Sequence, residues 1–244
     1  PARNYRSYAA FCKFEDPMPA YQESKGIPSL TYRNLSLGDW NLLLISGELL
    51  DVSVMDGFIE YILQGVKSRT CLSKVESCDW DTSLENMRNA VSSPKEKSTL
   101  YEEISHIPWN EEEWLLFKKF KNNTRAKPSP ILKECRIKLK HYRTWMTGLP
   151  EFARMETAFF PHGCKKYIFY DFLFESHHHK ELVNILGMLP STCAFFSVGN
   201  YLFARLSVMN REQEYELFSF IYSLKEKGYY STLDFALALF ASGG

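Results

Sequence analysis

CAFFSVGNYLFARLSV, residues 193–208, is the stretch that decides how this chain reads. Two β-type runs, 193–198 and 201–208, are separated by Gly199-Asn200 alone. Both turn residues tolerate positive φ, so the pair predicts a two-residue hairpin. Working outward, 166–174 is rich in Tyr, Phe and Ile and carries no helix cap, which predicts a strand. Ser176 opens a helix with Leu182, Val183, Ile185 and Leu186 on its apolar face and Gly187 at its end. After the hairpin, Asn210 and Gln213 cap a helix that closes with Lys225, Lys227 and Gly228. The apolar run 232–241 fits either a last strand or a buried helix. The order from 161 to 244 is therefore β-α-β-β-α and a possible β, an α+β unit.

Upstream, the same reasoning predicts a mainly helical region over 1–160 with a polar, Ser-rich loop near 67–106. Pro17, Pro19, Gly26 and Pro28 break up the first segment, leaving extended pieces near 8–14. Residues 39–46 suit a short apolar helix. Met55, Phe58, Ile59, Ile62 and Val66 recur at helical spacing, with Ser53 and Asp56 as a capping box and Gly65 at the C-terminal end. A helix is also expected over 82–91. Asn110 with Glu113 opens another, and Ser129-Pro130 opens one running to about Trp145. A short helix follows at 151–158. The two regions, 1–160 and 161–244, can share one core.

The chain has 244 residues and no net formal charge; hydrophobic residues make up 45% and aromatics 15%. The whole-molecule balance favours no partner class, so local patches carry the argument. Six cysteines, at 12, 71, 78, 135, 164 and 193, form no CxxC pair, and a reduced intracellular setting, nuclear or cytoplasmic, is expected. No apolar run approaches a membrane span, so no membrane association is expected.

Residues 114–145 hold ten Lys/Arg and one acid, Glu134, interleaved with Trp114, Phe117, Phe120, Tyr142 and Trp145. Such a stripe is what phosphate binding requires. Lys133, Arg136, Lys140 and Arg143 are the candidate contacts, with Arg136, Lys140 and Arg143 on one face of a single helix over 131–145. A solvated helix face balanced by acids elsewhere is the competing reading. No complete catalytic or metal motif is present. His162, Cys164 and Cys193, or Asp171 with Glu175, are each too few for a metal site, and no cofactor is expected.

The C-terminal order, with aromatics at Phe169 on its first strand and Tyr201 and Phe203 on its third, resembles the RNA recognition motif, a ferredoxin-like fold. The resemblance covers about 75 of the 244 residues. It implies a sheet face on which Phe169, Tyr201 and Phe203 stack bases while Arg205 meets phosphate. The family's glycine and basic residue before the third-strand aromatics are missing, and 165–244 carries seven Lys/Arg against eight Asp/Glu. Leu50-Asp51-Val52-Ser53-Val54-Met55 resembles, more faintly, the leading helix of the Ulp/SENP class of SUMO proteases. Glu113 stands where that class has its histidine, and Cys193 lies between Thr192 and Ala194, so the resemblance implies at most an inactive relative. The expected function is non-catalytic binding of nucleic acid, RNA foremost, or an adaptor role. A protein-interaction scaffold is the alternative, and a degenerate cysteine protease or a metal nuclease the enzymatic one.

Overall fold

The computed structural model describes all residues except 1, 3, 77, 78, 104, 105, 122 and 244. Cys78 and the closing Gly244 therefore lie outside the described residues. The chain divides into two compact units: residue 1 with 5–103 and 158–244, and residues 2–4 with 104–157.

The first unit is built on nine strands: β1 (Ser7–Phe14), β2 (Leu30–Gly38), β3 (Leu42–Ser46), β4 (Phe58–Lys67), β5 (Cys71–Leu72), β6 (Ile168–Glu175), β7 (Ala194–Val198), β8 (Tyr201–Val208) and β9 (Leu233–Gly243). Their order is β4-β1-β3-β2-β9-β6-β8-β7-β5, and β4 also pairs with β7. All pairings are antiparallel, so eight strands close a barrel and β5 extends β7 outside it. The order β4-β1-β3-β2 recurs as β9-β6-β8-β7. The barrel is thus two equivalent half-sheets joined along two seams. The β2–β9 seam runs from Tyr32–Gly243 to Gly38–Ala236, whereas the β4–β7 seam holds only Lys67 opposite Val198.

This corrects both the fold expectation and the two family resemblances. The N-terminal region is not mainly helical, since residues 7–72 carry β1 to β5, and residues 161–244 are not a free-standing ferredoxin-like unit but one half of a closed wall. The hairpin at Gly199-Asn200 is present, and 232–241 is strand. The apolar segment 39–46 is largely β3, and the stripe from Met55 to Val66 is largely β4. Residues 50–55 form no helix; Ser53 bonds through its N–H and hydroxyl to Asp51 Oδ1 at 3.0 and 2.6 Å. Gly65 does not end a helix. It faces the short seam, where an added Cβ would lie 3.0 Å from Val198 Cγ1.

Alternation along the strands sorts the cores. Phe11, Trp40, Leu43, Leu173, Phe196 and Phe203 fill the barrel interior. Outside the second half-sheet, Phe172, Phe174, Leu202, Ala204 and Leu206 pack under helices α2 (Trp80–Ala90), α6 (His179–Leu186) and α7 (Arg211–Glu226). Outside the first, Cys12, Phe14, Leu42 and Leu44 meet Ala20 of the short helix α1 (Pro17–Glu23).

Candidate nucleic-acid interface

The second unit holds the remaining helices: α3 (Glu111–Phe120), α4 (Pro128–Cys135) and α5 (Leu139–Gly148). The Asn110/Glu113 capping box is formed in both directions, at 3.0 and 2.9 Å, and three glutamates follow it at the positive end of α3. Leu116, Phe120, Leu132, Ile137, Trp145 and Leu149 close a three-helix core. Asn4 ties the N-terminal residues to it by two bonds to the Ile107 backbone, at 2.8 and 3.0 Å.

The single helix expected over 131–145 is two helices. Arg136 adopts the left-handed conformation (φ 58°, ψ 30°) and ends α4, its N–H and that of Ile137 bonding back toward Leu132 and Lys133. A non-glycine residue there is held against its preference. The cause is Ile137, which drops into the core and is 6% exposed. The three-residue connection Arg136-Ile137-Lys138 therefore anchors by its middle and turns its two basic ends outward; both are exposed. The helix expected at 151–158 is absent beyond a single 3₁₀ turn at Leu149–Glu151.

On α5, Lys140, Arg143, Thr144 and Thr147 are exposed on one face, opposite the buried Trp145. Acids nearby are already engaged: Glu134 pairs with Lys119 at 2.6 Å and Glu112 with His141 at 2.5 Å. Lys133, Arg136, Lys138, Lys140 and Arg143 have no ion-pair partner among the described residues. Residues 104–157 carry eleven Lys/Arg and six Asp/Glu, a net of +5, so the rest of the neutral chain carries −5. Zero net charge concealed two opposed fields. No local signal marks the turn, because it depends on Ile137 reaching the core.

The sheet-face residues have a different fate. Phe203 is 3% exposed and stacks on Phe196 inside the barrel at 4.3 Å between ring centres. Tyr201 is half-buried against the same cluster, and Phe169 packs edge-on to Phe160 at 5.5 Å. Arg205 is bidentate to Asp171 at 2.6 and 2.6 Å and also donates to the Tyr32 hydroxyl. Asp171 is fully buried, and Asn34 reaches it at 3.4 Å. Burial opposes the charge on Arg205, but Asp171 and Tyr32 outweigh it and hold the guanidinium protonated. The open base-stacking face implied by the RNA-recognition resemblance does not exist, because closure turns that face inward.

The enzymatic readings also lose their groups. Cys193 is fully buried, and burial pushes its thiol up to about 12, so no thiolate forms near neutrality. Asp171 is committed to Arg205, while Glu175 accepts from Asn200, Ser231 and Thr232. No group of three or more metal-binding side chains occurs among the described residues. No helix among the described residues is long and apolar enough to cross a membrane.

Lys67 is a further buried charge in the barrel, at the short seam. Its ammonium donates to Ser68 O at 3.0 Å and Thr70 Oγ1 at 2.7 Å and lies 4.5 Å from the Phe196 ring centre, with no carboxylate bonded among the described residues. Burial lowers its pKa from 10.5 to about 8. That displacement corresponds to a folding cost of about 3 kcal/mol below pH 8. A depressed pKa means the unfolded chain binds more protons, so stability rises between about pH 8 and 10.5. Lys67→Met should raise stability by ~1–3 kcal/mol at pH 7 and flatten that rise, as read by urea denaturation across this pH range.

No protein-family model matches this chain, and no curated protein or solved structure matches it either.

Proposed function

We propose that the three-helix unit binds double-stranded DNA as a helix-turn-helix, with α5 as the helix that enters the major groove. The observation that carries this reading is the α4–turn–α5 arrangement, in which the outer face of α5 is basic and unneutralised. A recognition helix presents its first turns to base edges. On α5 those turns hold Lys140, Arg143 and Thr144. The Thr144 and Thr147 hydroxyls donate to Lys140 O and Arg143 O at 3.2 and 3.0 Å, leaving their oxygens facing outward as acceptors. Lys133, Arg136 and Lys138, on α4 and the turn, suit the flanking phosphates. The compensating negative charge on the rest of the chain favours contact through this unit alone.

Neutralising the three phosphates met by Lys133, Arg136 and Lys138 releases counterions, so the affinity should fall with a log–log salt slope of about −3. Fluorescence anisotropy with random-sequence duplex DNA measures it. Arg143→Ala should weaken binding by about 1–3 kcal/mol, and the Lys140→Ala/Arg143→Ala pair further. Binding that ignores salt, or a double variant that binds as the parent does, overturns the reading. So does a preference for single-stranded RNA over duplex DNA, which an inserted helix does not produce.

A further inference from the structure

We infer that the exposed stripe of α7 docks on the same stripe of a second copy of this chain, as an antiparallel helix pair about a two-fold axis. The inner face of α7, Leu217, Phe220, Ile221 and Leu224, is spent on the barrel wall. Its outer face is Glu212, Tyr215, Ser219, Tyr222 and Lys225, all exposed and spaced by three or four residues. Tyr215 and Tyr222 are 74% and 58% exposed, unusual for two large aromatics on one helix.

The spacing makes the stripe its own complement. An axis passing between Phe218 and Ser219 sets each Tyr215 opposite a Tyr222 of the other copy. The same axis sets Glu212 opposite Lys225, and Arg211 opposite Glu226. Every charge on the outer face then meets its opposite, and none of these four has an ion-pair partner among the described residues. A parallel pair would set like against like. Ser219, small and exposed at the centre, lets the backbones approach to helix-packing distance. Phe218, half-buried against Phe235 at 5.2 Å between ring centres, fixes the helix from beside the stripe. An isologous contact of this kind closes at two copies.

Sedimentation velocity of the whole chain, without DNA and across the micromolar range, tests this. The parent chain should dimerise. Lys225→Glu sets acid against acid twice and should weaken the dimer roughly tenfold or more. Glu212→Lys together with Lys225→Glu should restore it. Thermal melts of both variants, matched to the parent, show that the monomers are folded. A parent chain that stays monomeric overturns the inference, as does a Lys225→Glu variant that dimerises unchanged or a charge swap that fails to recover. The readout involves no nucleic acid, so it stands apart from the DNA-binding assay.

Discussion

Arg205→Ala should destabilise the barrel by about 3–5 kcal/mol, because it leaves the Asp171 carboxylate buried without its counter-charge. The loss has two physical parts. The bidentate bonds at 2.6 Å disappear, and Asp171, fully buried, has among the described residues only Asn34 at 3.4 Å to replace them. The neighbouring Tyr32 hydroxyl also loses its donor. Removing both charges together is a different experiment. An Arg205→Met/Asp171→Leu variant swaps the pair for apolar groups of similar size and should retain most of the parent stability. Chemical denaturation of the single and the double variant measures the contrast. A single variant as stable as the double would show that the pair is not desolvated as the geometry requires.

Trp145→Ala should unfold the three-helix unit, at a cost of about 3–5 kcal/mol. Trp145 lies 3% exposed within ring-contact distance of Trp109, Phe120 and Tyr142. What remains between α3 and α5 is chiefly the partly buried Tyr142 against Phe120, at 5.1 Å between ring centres. Its indole N–H has no partner among the described residues, so Trp145→Phe removes an unpaired donor along with the volume and should cost much less. Far-ultraviolet circular dichroism reports the helical loss in the alanine variant. Duplex binding should vanish with it and persist in the phenylalanine variant.

The elements that could be read from the sequence are those fixed by local chemistry. Asn110 with Glu113, Asn210 with Gln213 and the Gly199-Asn200 turn each act within a few residues, and each is formed. The N-terminal strands were hidden by irregularity. In β4 the pairing with β1 skips Ile62 between Tyr61 and Leu63, and again skips Ile59 between Phe58 and Glu60. Two bulges bring Phe58, Ile59, Ile62 and Val66 to intervals of one, three and four, the same intervals an amphipathic helix shows. Closure was hidden for another reason. β2 pairs with β9 across some two hundred residues, and no local window contains both. The recurrence of strand order leaves no trace in residue identity, because a half-sheet asks only for alternating volume and turn chemistry. At the proposed interface, the basic composition of 114–145 was legible. The break at Arg136 was not, because it depends on Ile137 finding a core.

The inequality of the two seams has a consequence for how this barrel comes apart. One wall junction is a long ladder; the other is a single residue pair, helped by Ser68 and Ser197 exchanging bonds at 2.8 and 2.8 Å and by the two-residue β5 beside β7. A cylinder latched this unevenly opens like a hinged cuff. The long β2–β9 ladder should serve as the hinge, and hydrogen exchange should find the amides along the β4–β7 margin exchanging before others in the wall. In the opened cuff β4 is left with unsatisfied donors and acceptors while β7 keeps β5 along part of its edge, and each remains shaped to receive the other from whichever molecule supplies it. Reclosure within one chain then competes with exchange between chains, and concentration sets which prevails.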